Sequence, residues 1–230
     1  MRNLMIVVGV ILAIGLVGCG SKPVAPERKN EVKTSASATN ASPASTINPA
    51  KGEFIIQDGA GNTIFKNIWW NDRLSTKAID GYGKFIGIVE YWQIEGNFVQ
   101  FTDNEKSDNG HKMGVTGKII ANGTTFYLED ASGKKIAKIE ARDGGYRIKD
   151  TSGKYLAKLK PEGSDCKIAN EVGDKIGKAK LKGDKILVED AKGDTKYQIY
   201  GIKNVQAAAV WLLDGWTPLQ KAAVMLALNK

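Results

Sequence analysis

From residue 51 onward, apolar and polar residues alternate over short stretches, and much of this pattern repeats every twenty residues. The repeated unit reads apolar-x-apolar-x-Asp/Asn-x-x-Gly. Its copies begin at Phe54, Phe126, Tyr146, Cys166 and Ile186. Alternation with period two is typical of β-strands that bury one face. The pattern therefore predicts a domain, 51–230, built from short strands and tight turns.

The acidic and glycine positions of the repeat predict its turns. Asp or Asn opens a type I turn by accepting a hydrogen bond from the backbone ahead, and Gly in the fourth position takes a positive φ. Because the links are short, neighbouring strands pair antiparallel. We expect a meander of about twelve strands, in which 69–83 and 104–112 are polar loops.

The same spacing bears on two candidate sites. Asp-x-x-Gly lacks the alternating oxygen ligands and the closing Glu of a calcium loop, so we expect turn formation and no metal. Cys166 stands where the other copies have Phe126, Tyr146 and Ile186. It is therefore interpreted as a small buried hydrophobic residue, not as a nucleophile.

The chain ends in a segment that is apolar and rich in alanine. Asn204 is predicted to cap a short helix through Leu213, and Thr217-Pro218 to begin a second one that ends at Leu228. The second helix is apolar nearly all round, which indicates burial. Small residues recur in the strands that follow the repeat turns, and they leave room for such a helix: Ala137, Ala157 and Gly177.

These features predict a mainly β fold, an antiparallel meander closed into a barrel around a C-terminal hydrophobic helix. The alternative is an open repetitive sheet of the MORN type. The hairpins FIIQDGAGNTIFK, FYLEDASGKKIAK and YRIKDTSGKYLAK, with the terminal TPLQKAAVMLAL, resemble the tubby C-terminal-like group, which includes the phospholipid scramblase and LURP-one families. The resemblance covers 51–230. It implies a closed barrel around the terminal helix and a function connected with membrane lipid.

The first fifty residues predict export and anchoring. An apolar run, Leu4 to Val17, has the length of a signal-peptide core and ends in Leu-Val-Gly-Cys19, which matches the lipobox of bacterial lipoproteins. We expect cleavage of 1–18 and acylation of Cys19. Residues 19–50 are rich in Ser, Ala, Thr and Pro and read as a flexible linker.

Charge and location narrow the expected partners. The 230-residue chain has a formal net charge of +8, of which residues from 51 onward carry about +5. A basic domain suits anionic lipid or another acidic partner. No run of Lys and Arg is long enough to indicate a nucleic-acid site, and an exported lipoprotein rarely meets nucleic acid. We expect a lipid-anchored protein on the exported side of the cell membrane. Gly20 after the cysteine favours the outer membrane in an organism with two membranes.

The functional expectation is a non-catalytic binding or scaffold module of the cell envelope, without a cofactor. The alternative is a lipid-binding or lipid-handling protein. Its candidate contacts with membrane or partner are aromatic: Trp69, Trp70, Tyr91 and Trp92. An enzyme is a third hypothesis, for which His111 with Asp103 and Asp108 forms the candidate cluster.

Overall fold

The computed structural model of the protein describes residues 47, 49, 53–70, 75–92, 98–103 and 115–229. Of residues 69, 70, 75, 91, 92 and 98 it describes the backbone alone. The barrel and the helices below belong to one compact unit, Ser45–Lys230.

Fourteen strands form one closed antiparallel barrel within these residues, and each strand pairs with the next along the chain. Pairing of β1 with β14, for example Ile56 opposite Ile199, closes the ring. The strands are β1 (Phe54–Asp58), β2 (Thr63–Trp70), β3 (Ser75–Ile79), β4 (Phe85–Trp92), β5 (Phe98–Thr102), β6 (Gly117–Asn122), β7 (Thr125–Asp130), β8 (Lys135–Arg142), β9 (Gly145–Asp150), β10 (Tyr155–Glu162), β11 (Asp165–Ala169), β12 (Lys175–Lys182), β13 (Lys185–Asp190) and β14 (Thr195–Tyr200).

The repeat turns have the predicted geometry. In the β9–β10 turn, Asp150 Oδ1 accepts hydrogen bonds from the Ser152 and Lys154 amides at 2.9 and 3.0 Å. Gly153 has φ +85° and donates its amide to the Asp150 carbonyl. These turns share one end of the barrel, called here the Asx-turn end. The opposite end, where β1 begins and β14 ends, is called the N-terminal end.

Each Asx turn is followed by a one-residue bulge. In the β7–β8 hairpin, Leu128 pairs with Ala137 and Glu129 with Lys135, so Ile136 is the extra residue. A bulge raises the local twist and helps a sheet to curve. The equivalent bulged residues that pack against the core are Ile64, Ile86, Leu156 and Ile176.

One hairpin lies where the sequence predicted a loop. Residues 69–83 contain β3 and the end of β2, and the described residues form fourteen strands where about twelve were expected. The turn Asp80–Gly83 carries the repeat spacing, and Asp80 Oδ1 accepts from the Tyr82 and Lys84 amides. The sequence analysis missed β3 because its sequence, STKAI, is mostly polar. The two residues of β3 that face the interior are Thr76 and Ala78, and neither is a large apolar residue.

The terminal segment forms two buried helical pieces. Helix α1 (Val205–Ala209) continues as a 3₁₀ turn (Val210–Leu212), and Asn204 caps it as predicted. Helix α2 (Pro218–Leu228) starts with a capping box between Thr217 and Gln220. Asn204 Nδ2 donates to the Leu228 carbonyl at 2.9 Å, which joins the beginning of α1 to the end of α2.

Both helices fill the barrel. Helix α1 packs against β10–β13, and α2 packs against β4–β6. Ala137, Ala157 and Gly177 are at the interior face as expected; a Cβ on Gly177 would lie 2.1 Å from Leu212 Cδ2. The predicted closed barrel around a C-terminal helix is therefore confirmed, and the open MORN-type alternative is wrong. None of the described helices combines the length and the apolar character that a membrane crossing requires.

Candidate binding surface

The barrel interior is a packed core. Most inward side chains are fully buried and apolar, and α2 contributes Val224 and Met225 with no exposed surface. Asn67 is an inward polar residue whose buried side-chain nitrogen and oxygen have no hydrogen-bond partner among the described residues. Among the described residues, no three His, Cys, Asp or Glu side chains lie close enough together to hold a metal ion.

Cys166 lies in this core, as its place in the repeat predicted. It is fully buried and forms no disulfide within the described residues, and burial raises the pKa of its thiol to about 12. Its Sγ donates to the neighbouring Lys167 carbonyl at 3.6 Å. A thiol protonated at physiological pH and closed off from solvent is a packing residue.

The predicted contact residues lie on two strands on either side of β3. Trp69 and Trp70 end β2, Tyr91 and Trp92 end β4, and their side chains lie outside what the structure describes. Trp69 pairs with Thr76, which pairs in turn with Val89. The backbone thus brings all four aromatic residues to the N-terminal end of the barrel.

Three other predicted residues are outside the described parts of the chain: Cys19, Asp108 and His111. Asp103, the remaining member of the candidate enzymatic cluster, is exposed at the end of β5. Its carboxylate accepts a hydrogen bond from Thr116 Oγ1 at 2.7 Å.

Cationic side chains cover the outer face of five neighbouring strands, β8 to β12. We call this surface the basic flank and define it by eight residues: Lys138, Arg147, Lys149, Lys158, Lys160, Lys167, Lys178 and Lys180. They face outward because they alternate with buried inward residues, as Lys138 does between Ala137 and Ile139.

Like charges stand directly opposite one another on this flank. Lys138 is paired with Lys149, and Arg147 with Lys158. Lys160, Lys167 and Lys178 form a row across β10, β11 and β12. Directly opposed like charges destabilise a sheet. The flank therefore concentrates positive charge at the expense of pairing energy.

Carboxylates neutralise part of the flank. Glu140 lies 2.7 Å from Lys138 Nζ and 3.4 Å from Lys149 Nζ, and its hydrogen bond with Lys138 lowers the pKa of its carboxyl. Asp165 lies 2.9 Å from Lys178 Nζ and raises the pKa of that ammonium. Lys160 and Lys167 form no ion pair within the described residues. Within the described residues, the flank residues that lack an ion pair therefore lie on β10 and β11.

Two shallow grooves open on the flank. One, of about 370 Å³, lies between β8, β9 and β10 and has four cationic side chains on its walls: Arg142, Arg147, Lys158 and Lys160. Among the described residues that line it, Asp143 alone supplies a carboxylate, which lies 3.4 Å from Arg147 Nη2. The other, of about 330 Å³, includes Lys135, Lys138 and Lys149. Both suit anionic groups better than neutral ones.

A third groove lies at the Asx-turn end, above the 3₁₀ turn. Asp58, Asp190 and Asp214 line it together with Lys196, whose Nζ is 3.0 Å from Asp190 Oδ2. Lys196 occupies the bulge position that is aliphatic in the other hairpins. This groove has mixed charge, so it lacks the single sign that distinguishes the basic flank.

The sequence analysis recognised a basic domain but did not locate the flank. The signal was present in the strands KIAKIEAR, YLAKLKPE and KIGKAKLK, where lysine alternates with residues that face the core. Period two places those lysines on the outer face. Their neighbours across the sheet depend on register, which the twenty-residue period alone does not define.

Comparison with protein-family models gives no matching family for this chain, and a search of curated proteins gives no match either. The resemblance to the tubby C-terminal-like group therefore stays a prediction, carried by the quoted hairpins and the terminal helix.

Proposed function

We propose that this protein is a non-catalytic binding module of the cell envelope, attached to the membrane through acylated Cys19 and held away from it by the linker 19–50. The observation that carries the proposal is the contrast between a filled interior and a charged exterior. Two helices occupy the space that a small-molecule site would need inside a barrel. The outer wall carries the basic flank and its two grooves.

The direction of the chain supports this arrangement. Glu53 precedes β1 and lies at the N-terminal end of the barrel. A tether that joins the barrel there leaves the Asx-turn end and the side wall accessible to partners. The anchoring itself rests on the lipobox, and triple acylation supplies the several chains that stable attachment requires.

Anchoring and binding are tested together on the full chain. Mass spectrometry of the N-terminal peptide is expected to show a diacylglyceryl group and a further acyl chain on Cys19, and Cys19→Ala is expected to leave the signal segment uncleaved. The full chain in non-ionic detergent, immobilised, is expected to capture a component of an envelope extract. An unmodified Cys19 together with no captured component would refute the proposal.

A second candidate is lipid handling, which the placement of Trp69, Trp70, Tyr91 and Trp92 favours. Their strands end on the side of the barrel where the chain enters it, the side that a membrane tether would bring nearest to lipid. Aromatic residues are common at membrane interfaces. Flotation of the compact unit 45–230, which lacks the signal segment and Cys19, with anionic vesicles tests it, and loss of binding in Trp70→Ala/Trp92→Ala would support it. Absence of flotation at low salt would remove this candidate.

A further inference from the structure

We infer that the basic flank is the docking surface for a flexible linear polyanion, a polymer with an anionic group on each successive unit. This inference rests on the proposed function, because it names the partner of the binding module. The polymer would run across the strands over the row Lys160, Lys167 and Lys178 and continue into the groove between β8, β9 and β10.

The register of the sheet is the first argument. Adjacent strands are about 4.8 Å apart, so the three lysines of the row span about 10 Å. Such close cations repel one another in the unbound protein. A partner with anionic groups at similar spacing removes that repulsion and releases the counterions that it holds. Lys167 shows this most clearly, because its neighbours on both adjacent strands are lysines.

The curvature of the barrel is the second argument, and it separates a polymer from a bilayer. Fourteen strands share a full turn, so the outward direction rotates by about 26° from one strand to the next on average. Across β8–β12 it rotates by about 100°. A flat membrane therefore meets two or three of these strands at a time. A flexible chain bends around all five.

The position of the flank is the third argument. Its middle strand, β10, is seven strands from β3 in either direction around the ring. The aromatic ends of β2 and β4 lie on either side of β3 and at the N-terminal end. If that region is nearest to lipid, the basic flank points elsewhere. The two surfaces are thus separate, and each has its own expected ligand.

Binding of long-chain inorganic polyphosphate to the full chain in non-ionic detergent tests the inference. The test variant is Lys160→Gln/Lys167→Gln/Lys178→Gln. The matched control is Lys134→Gln/Lys154→Gln/Lys192→Gln, which removes the same charge from exposed positions at the Asx turns. Affinity is measured by fluorescence anisotropy over a series of salt concentrations, and circular dichroism melting verifies that both variants remain folded.

We expect polyphosphate to bind the natural sequence. The test variant should lose at least about tenfold in affinity, and its slope of log K against log salt should fall by about 2, for three lost phosphate contacts. The control should change affinity by less than about twofold. The inference is overturned by absence of binding at low salt, or by an equal loss in the control. Binding to vesicles containing phosphatidylglycerol without binding to polyphosphate would also overturn it, in favour of a lipid surface.

The outcomes also separate this inference from the proposed function. If the chain captures an envelope component but not polyphosphate, the polyanion is wrong and the binding module stands. If Cys19 is unmodified and nothing is captured from the extract, the proposed function fails even when polyphosphate binds.

Discussion

Two arcs of the barrel form one continuous antiparallel sheet from sequences of different kinds. The repeat arc, β7–β14, keeps the twenty-residue period, and its links are two-residue turns or Asx turns. The variable arc, β1–β6, has a fourteen-residue link at 103–116 and no constant period. Both arcs are continuous in one ring. A repeated sequence is therefore one way of building this barrel and not a requirement of it.

Each arc holds one helical piece, and a glycine makes room in both. Gly177 of β12 faces Leu212 of the 3₁₀ turn. Gly87 of β4 faces Leu219 of α2, whose Cδ2 would lie 2.6 Å from a Cβ there. In the repeat arc the small residue recurs at a fixed position, so the sequence reveals it. In the variable arc the small buried residues Ala78, Gly87 and Gly117 follow no fixed spacing.

The arcs also differ on the outside. Outer positions of the repeat arc carry lysine again and again, whereas those of the variable arc include the half-buried Ile55, Ile68 and Ile79. Repetition of the unit thus placed lysine at successive outer positions as well as small residues at successive inner positions. This explains why the basic flank belongs to one side of the barrel.

The largest expected effect comes from a charge introduced into α2, inside the barrel. Val224 of α2 has no exposed surface, so Val224→Asp buries an unpaired carboxylate or forces its protonation. We expect a loss of about 4 kcal/mol or more in the free energy of unfolding, enough to prevent cooperative folding. Urea unfolding followed by circular dichroism measures it.

Val172→Asp is the control for that variant, because Val172 is 81% exposed in a turn. It should change the unfolding midpoint little. Cooperative unfolding of Val224→Asp at the midpoint of the natural sequence would show that α2 lies outside the core.

The next effect compares the two close contacts. A Cβ on Gly177 would also lie 2.5 Å from the Glu189 carbonyl oxygen, and one on Gly87 would lie 2.5 Å from that of Thr102. We expect Gly177→Ala and Gly87→Ala each to lower the free energy of unfolding by about 1–3 kcal/mol, by overpacking. Urea denaturation of both variants measures the comparison.

Leu212 tests the assignment of the first contact. In a double-mutant cycle, Leu212→Ala should recover part of the loss in Gly177→Ala, because it removes the side chain but leaves the Glu189 carbonyl. It should recover nothing in Gly87→Ala. Equal recovery in both backgrounds would contradict separate placement of the helical pieces in the two arcs.

The smallest expected effect concerns the Asx turn, which occurs in both arcs. Hydrogen bonds from the side chains of Asn62 and Ser152 lower the pKa of Asp58 in the variable arc and of Asp150 in the repeat arc, respectively. A carboxyl group with a lowered pKa in the folded state stabilises it above the ordinary pKa of Asp. That contribution is lost as pH falls through the folded value. We therefore expect stability to decrease below about pH 4.

Substitutions at these two positions measure that contribution in each arc. Asp58→Asn and Asp150→Asn should fold well at neutral pH, since Asn170 already forms such a turn and accepts from the Gly173 and Asp174 amides. Their acid dependence of unfolding should be shallower than in the natural sequence. The Ala variants should be less stable than the Asn variants at neutral pH. An unchanged acid dependence in Asp150→Asn would exclude the turn carboxylate as its source.

Much of the fold followed from local physics. Period-two alternation, Asx–Gly turns and the caps at Asn204 and Thr217 depend on a few consecutive residues, so the sequence predicted them. Burial of Cys166 followed from its place in the repeat. The strand β3 was missed because its composition is polar. Of the candidate contacts, Tyr91 and Trp92 were expected on a strand, whereas Trp69 and Trp70 were expected in a loop and lie at the end of β2. Their common end of the barrel emerged only from pairing.

The sequence by itself determined the strands of the repeat, their turns, the two helical pieces and the need to bury them, because these are set by hydrogen bonds and hydrophobic faces between near neighbours. Only the tertiary structure decided that β1 pairs with β14, that α1 and α2 pack on different arcs, and that Lys160, Lys167 and Lys178 stand in one row. Those features depend on register and closure, which join residues far apart in the chain. The apolar terminal helix had to be buried, and the closed sheet that buries it determined which charged side chains lie side by side on its outer face.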